Sequence, residues 1–191
     1  MRTGIRAAPE DPRLLFSDRL ASRDLTQFWF VGGYSLDAGN KALNLGHPGE
    51  HAQAIVQGVY VADLVVEASV RILDSSEADG QGWAGLLMRG FGLGANTGYL
   101  VYVRARGEVE LLTLDHKRID LMSVRDMNPD RWVRIRSRLE GTTIEVVVDD
   151  MEPVKLSSAY YVGPGVVLLQ SYHASSQFRD ISIRELEPSR E

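Results

Sequence analysis

Asp63 to Ile72 reads DLVVEASVRI, and the alternation in this stretch decides the fold. Leu64, Val66, Ala68, Val70 and Ile72 share one set of positions, against Asp63, Glu67, Ser69 and Arg71 on the other. A period of two is that of a strand with one buried face and one face turned to solvent or to a groove. Working outward, comparable strands are predicted at Trp83–Arg89, Tyr99–Arg104, Glu108–Thr113, Arg131–Leu139, Thr142–Asp149, Gly165–Tyr172 and Phe178–Leu186, with weaker ones at Gly33–Leu36, Ala42–Leu45 and Ala52–Gln57. Turn residues separate them: Gly39-Asn40, Pro48-Gly49, Arg106-Gly107, Glu140-Gly141 and Gly163-Pro164-Gly165. Closely spaced strands with no long helical pattern between them predict an all-β, antiparallel two-sheet jelly-roll sandwich. Only short helical turns are expected, near Ser17–Thr26 and Met127–Asp130. The sandwich is placed at residues 16–187, with an extension at 1–15 and a tail at 188–191. Its core is expected to include Leu64, Val66, Val70, Leu86, Met88, Val101, Val103, Ile135, Val146, Val148, Leu168 and Ile181.

Two hairpins carry register expectations. A two-residue turn at Glu140-Gly141 sets Leu139 against Thr142, Arg136 against Glu145, Ile135 against Val146 and Val133 against Val148. Apolar then meets apolar and charge meets opposite charge. A three-residue loop, Ala105-Arg106-Gly107, with Gly107 in the left-handed region, sets Val103 against Val109, Val101 against Leu111 and Arg104 against Glu108.

The chain has 191 residues, 44% hydrophobic and 25% charged, which suits one globular domain. A fold of this size buries roughly 70% of its unfolded surface and needs no metal or disulfide. Cysteine is absent, which excludes disulfides, thiolate zinc sites and cysteine nucleophiles. A net charge of -5 and a pI near 5.4 argue against nucleic acid as a partner. No apolar run approaches the roughly 18 residues of a membrane span. MRTGIRAAPEDPRLLF lacks the apolar stretch of a signal peptide, so the expected compartment is the cytoplasm, or one reached through a leader already removed.

GFGLGANTG (Gly90 to Gly98) has the glycines of a phosphate loop, but a β-branched strand follows it instead of a helix, so it reads as a strand connection. His47 and His51 are separated by Pro48-Gly49, which prevents the helix that would align them on a metal. The acidic stretch Asp74 to Gly80 has oxygen ligands for calcium but lacks the full series, and a solvated turn is preferred. No metal or cofactor is expected. Glycoside hydrolysis generally needs two carboxyls across the scissile bond. The nearest pattern is Glu108-Val109-Glu110, while Glu67 has no second acid nearby in sequence. No serine lies on a nucleophile elbow. Arginine outnumbers lysine 18 to 3. Arg134, Arg136 and Arg138 share one strand face with Trp132, a set suited to sugar hydroxyls or carboxylates, or to a solvated face with cross-strand pairs.

Taken together, YVADLVVEASVRI, WAGLLMRG, TGYLVYVRARGEVELL, RWVRIRSRLEGTTIEVVVDD and GPGVVLLQSYHASSQFRDISIREL resemble the concanavalin A-like lectin/glucanase superfamily over Phe16 to Glu187. LQ-x-x-H followed by FR-x-I-x-I-x-EL resembles the carboxy-terminal strands of the 3-keto-disaccharide hydrolase-like family. The strand-and-glycine pattern also resembles laminin-G-like and fructan-binding modules. The resemblance implies two curved sheets with a glycan site on the concave face. It also implies Arg89 on that face, Gln170 and His173 as a polar pair, and Tyr99 as the aromatic of the GY strand. Tyr34 stands where relatives often have Trp, the usual Asn-Gly-Lys opening is missing, and the glucanase acid series is absent. The leading expectation is a non-catalytic glycan-binding module using Arg89, Tyr99, Arg134, Arg136, Gln170 and His173. One alternative is a 3-keto-glycoside enzyme with Glu67 or Glu110 as acid or base. Another is a scaffold subunit with a protein partner. MRTGIRAAPEDPRLLF has too little apolar patterning for a strand of its own, and where it is held, the holder is this sandwich or a neighbouring chain.

Overall fold

The computed structural model describes residues 13–18, 20, 24–75, 81–93, 97–158 and 160–187, and the strands among them are numbered in chain order. One sheet has eight strands. Seven run in the order β13 (Val154–Ser157), β12 (Thr143–Val148), β11 (Val133–Glu140), β6 (Leu64–Ser75), β15 (Ala174–Glu185), β4 (Ala42–Leu45) and β3 (Tyr34–Asp37). The eighth, β1 (Arg13–Ser17), pairs with the last residues of β15. The second sheet has seven strands in the order β10 (Arg118–Ser123), β9 (Glu108–Leu112), β8 (Tyr99–Arg104), β7 (Trp83–Gly90), β14 (Val166–Tyr172), β5 (His51–Val56) and β2 (Phe28–Val31). The pairings are antiparallel, and the two sheets face each other as a jelly-roll sandwich, as the alternation predicts.

The central strand β6 buries Leu64, Val66, Ala68, Val70 and Ile72 between the sheets and turns Glu67, Ser69 and Arg71 outward. Eleven of the twelve expected core residues lie in this inter-sheet core, so its identity follows from period-two patterning alone. The twelfth, Leu168, is a core residue as well, on the other face of its sheet. It is fully buried in a second cluster with Trp83, Leu87, Leu100 and Tyr102. β14 is apolar at successive positions, so its pattern does not say which face is which.

The β8–β9 register is as expected, with Val103 opposite Val109, Val101 opposite Leu111, and Gly107 at φ 100° closing the loop. The β11–β12 register is not. Glu140 pairs with Thr143, Arg138 with Glu145 and Ile135 with Val148, so the turn is Gly141-Thr142. Gly141 at φ 52° takes the first turn position, where a primed hairpin turn wants a left-handed residue. The two-residue slip keeps each side chain on its predicted face and changes only its partner.

Four strands were not expected from the sequence: β1, β2, β10 and β13. Each is short and exposed at several positions, so the apolar alternation is faint. Of the two short helical turns expected, Leu20 in the first lies in a 3-10 turn, and Pro129-Asp130 in the second forms a turn. Residues 19 and 21–23 of the first lie outside the description, as does most of the acidic stretch weighed for calcium.

Two bulges reshape the sheets. Met88 and Arg89 together oppose Val167, and Asp180 and Ile181 together oppose Ala68. Arg89 and Asp180 sit at φ 51° and 53°, the left-handed backbone a bulge can require.

Candidate functional site

The six residues singled out in the sequence fall into three separate places. Regular alternation would point Arg89 out of the sheet with Leu87, but the bulge turns it to the end of the sandwich. There it is fully buried. Its Nε donates to the Ala62 carbonyl at 2.6 Å, Nη1 to Gly141 at 2.9 Å and Tyr161 at 3.0 Å, and Nη2 to Asp63 at 3.0 Å. Burial pulls this guanidinium below its ordinary pKa, against the opposing pull of Asp63. Tyr99 is also fully buried, on the core side of β8, and its hydroxyl donates to the same Tyr161 carbonyl at 3.0 Å. Together they tie three loops into one end of the fold. Arg134 and Arg136 lie on the outer face of the eight-stranded sheet. Arg134 is forked onto Glu67 at 2.9 and 2.6 Å, whereas Arg136 is exposed and pairs in register with Glu67. Gln170 belongs to the other sheet, and His173 is the bend residue, at φ 51°, that links β14 to β15.

The outer face of the seven-stranded sheet is built from three rows of side chains, each read across the strands. The first row is Trp29, Ile55, Leu168, Leu87, Leu100 and Leu112. The second is Val31, Gln53, Gln170, Gly85, Tyr102, Glu110 and Asp120. The third is His51, Tyr172, Trp83 and Arg104. Aliphatic, polar and aromatic chemistry thus lie in adjacent bands. Gly85 is required in the middle, because a Cβ there would sit 2.2 Å from the Val101 carbonyl oxygen.

The aromatic band is packed edge to edge and face to face. Trp83 stacks on Tyr172 at 5.5 Å and lies 4.9 Å from Tyr102, and His51 meets both Trp83 and Tyr172 edge-on. His173 extends the stack onto Tyr172 at 4.2 Å, and its backbone N–H donates to the Glu50 carbonyl at 2.7 Å. The polar band centres on Glu110. Arg104 reaches it through Nε at 2.9 Å and Nη2 at 3.0 Å, the Tyr102 hydroxyl donates to it, and Arg118 lies 3.2 Å away.

Burial pushes the Glu110 carboxyl up, but the Arg104 and Tyr102 hydrogen bonds and both arginine charges outweigh it and hold the group below its ordinary range. Burial and the bond to Glu110 push the Tyr102 phenol up to about 12. Burial also pulls His51 down, opposed by its bond with Gln170 and reinforced by His173, so the imidazole is neutral near pH 7. A carboxylate kept ionised by two arginines does not serve as a general acid. Among the described residues no group of three or more potential metal ligands comes together.

Trp83, Tyr102, Tyr172, His51 and Gln53 were missed in the sequence as site residues. A signal was there: with Val101 and Val103 in the core, alternation puts Tyr102 and Arg104 on the opposite face, and the β8–β9 register brings Glu110 beside them. Leu87, Leu100, Leu168 and Gln170 point to this outer face, yet each has no exposed surface.

This antiparallel sandwich is similar in fold to several solved structures. It is similar to the carbohydrate binding module CBM66 from Bacillus subtilis, with 16% identity over 84% of this chain and 96% of that one, at a TM-score of 0.66. It is also similar to a protein of unknown function with a galectin-like fold from Bacillus subtilis, with 12% identity, coverage of 93% and 98%, and a TM-score of 0.69. A third similar structure is SCLam, a non-specific endo-beta-1,3(4)-glucanase from family GH16, with 9% identity, coverage of 95% and 94%, and a TM-score of 0.68. No protein-family model matches the chain, and no curated protein matches it in sequence. At such identities the likeness is one of fold. No helix among the described residues is long and apolar enough to cross a membrane.

Proposed function

We propose that this protein is a non-catalytic glycan-binding module whose binding face is the outer face of the seven-stranded sheet. The observation that carries the reading is the adjacency of the band His51–Tyr172–Trp83–Arg104 to the band Gln53–Gln170–Gly85–Tyr102–Glu110. A sugar ring has C–H faces that stack on aromatic rings and hydroxyls at its rim that take planar, two-pronged hydrogen bonds. Indole and phenol rings beside two primary amides meet both needs. Gln170 and His173 keep their place in this reading, while Arg89 and Tyr99 support the fold beneath it. Binding without turnover is favoured because the buried carboxylate of the face, Glu110, is held as a carboxylate by arginines.

The test is a glycan array with the full chain, followed by titration of each hit by NMR. Trp83→Ala and Gln170→Ala should each weaken a hit at least about tenfold, the scale of a lost stacking or buried polar contact. Arg136→Ala, on the other sheet, should leave it unchanged. An array with no hits, or hits indifferent to Trp83 and Gln170, removes the reading.

A further inference from the structure

The strands at the sheet edges are not alike. β10 carries Arg118, Asp120 and a bulge, β13 carries Lys155 and begins directly after Pro153, and β3 ends on Asp37. Charge, proline and bulges are the usual means of stopping an edge from pairing with another chain. β2 reads FWFV and has none of them, and no charged residue lies between Leu25 and Leu36. Trp29 is 59% exposed, Val31 36% and Tyr34 51%.

The hydrogen-bond phase of β2 fixes which backbone groups are left over. The Gln57 N–H donates to the Gln27 carbonyl at 2.8 Å, so Gln27, Trp29 and Val31 turn their backbone groups to β5. Phe28 and Phe30 turn theirs outward. The Phe28 N–H donates to the Leu25 carbonyl at 3.1 Å, and the Phe28 carbonyl accepts from Gln57 Nε2 at 3.0 Å. Among the described residues, nothing pairs with the N–H and C=O of Phe30. The strand is held ready, with the Phe30 ring stacked on Tyr34 at 3.7 Å and tilted against Phe28 at 5.8 Å.

We propose that the occupant of this edge is β2 of a second copy of the chain, paired antiparallel about a two-fold axis at Phe30. One register fits the free groups. With Phe30 opposite Phe30, the two residues exchange both N–H···O=C bonds. Trp29 then faces Val31 of the other copy on each side of the axis, in the closer, non-hydrogen-bonded pairing. A register with Trp29 opposite Trp29 would need the Phe28 groups, which are already bonded. The strand is thus complementary to itself, as an isologous interface requires.

The size of the contact sets its strength. An aromatic side chain carries about 150–250 Å², so burying the exposed parts of Trp29, Val31 and Tyr34 on both copies removes roughly 600 Å² of apolar surface. That falls short of the roughly 1,200 Å² at which standard interfaces begin, so the dimer is a weak one, in the micromolar range. Two seven-stranded sheets become one, and the axis, normal to the sheet, turns both outer faces the same way. The two copies of Trp83 then lie about 34 Å apart at the ordinary strand spacing. A repeating glycan, where the reading above holds, meets two faces at once, but the pairing itself does not depend on that ligand.

Sedimentation equilibrium of the full chain should show a reversible shift from 21.2 kDa toward twice that mass as concentration rises through the micromolar range. Trp29→Lys and Val31→Lys, both at exposed positions, should each weaken association at least about tenfold. Met151→Lys, comparably exposed at the opposite side of the sandwich, should leave it unchanged. Cross-linking reads the register, since the chain has no cysteine of its own. Trp29→Cys and Val31→Cys chains, mixed and oxidised, should form a disulfide-linked pair that neither forms alone. A single 21.2 kDa species up to about 1 mM, or a dimer that survives both lysines, overturns the proposal. So does a Trp29→Cys chain that links to itself in place of the mixed pair.

Discussion

Replacing Arg89 separates a ligand-contacting arginine from a structural one. Arg89→Met keeps most of the side-chain volume and removes every hydrogen bond of the guanidinium. The Ala62 and Gly141 carbonyls lose the donors described above, whereas Tyr161 keeps the Tyr99 hydroxyl and Asp63 keeps the Gly141 N–H at 2.8 Å. A buried acceptor left unpaired costs about 1–3 kcal/mol, and removing one partner of a buried ion pair costs about 3–5. Asp63 is 27% exposed and regains some water, which places the total near the lower end, about 3–5 kcal/mol. For a chain of this length the melting temperature should fall by about 2–4 °C per kcal/mol, or roughly 6–20 °C. Urea unfolding followed by far-ultraviolet circular dichroism measures the difference directly. Arg89→Lys, which keeps the charge but loses the fork, should fall between the two. Glycan affinity of the folded fraction should be unchanged. A variant within about 1 kcal/mol of the parent that has lost binding would refute the clamp and return Arg89 to the ligand.

Three further outcomes follow from the geometry. Glu110→Gln leaves Arg104 buried without its counter-charge and should destabilise the fold by about 2–4 kcal/mol. The same change should move the Tyr102 phenol down from about 12, which an ultraviolet titration of phenolate absorbance reads. Asp37 holds Asn40, Gln177 and the Gly39 N–H, and its carboxyl lies at about 2 against an ordinary 3.8, so its stabilisation is present above that ordinary value and is lost as pH falls toward 2. Asp37→Asn should flatten this part of the acid-unfolding curve, and an unchanged acid limb would contradict the assignment. Gly85→Val forces side-chain atoms into the β8 backbone and should cost about 1–3 kcal/mol or more, read as a lower urea midpoint.

Strand alternation made the inter-sheet core legible because one-sided burial leaves a period-two signature. Where burial is two-sided the signature vanishes. β7 reads WAGLLMRG and is buried at every position, so Trp83 and Leu87 look the same as Leu86 and Met88 until a neighbour fixes the phase. That is why the aromatic band was not seen. Gln170 entered through the family resemblance, and Tyr102 was missed because neither that resemblance nor a tyrosine in an apolar strand marks it. The family resemblance implies Arg89 on the concave face, whereas the bulge at Met88-Arg89 turns it to the end of the sandwich. A bulge adds one residue to one strand, reverses the alternation beyond it, and leaves no mark in hydropathy. The β11–β12 register failed because Glu140-Gly141 and Gly141-Thr142 both permit a two-residue turn, and both registers set apolar against apolar and an arginine against Glu145.

The two outer faces offer different chemistry to a ligand, and the difference lies in where the charges are already matched. On the eight-stranded sheet Arg134 meets Glu67 at 2.6 Å, Arg138 meets Glu140 at 2.8 Å, Lys155 meets Glu145 at 2.9 Å and Arg179 meets Asp180 at 3.3 Å. Arg71 binds Gln177 at 2.6 Å, and both Arg71 and Arg179 lie over Trp132. An anionic polymer would have to replace those contacts at a surface where each is worth little and water competes freely. On the seven-stranded sheet charge is concentrated at Glu110 and its arginines, with Asp120 beside them on the edge strand, and the rest is amide, phenol, indole and aliphatic side chains. A face of that composition gains little from a charged ligand and much from one that pairs C–H surface with hydroxyls, which supports a neutral sugar as its occupant.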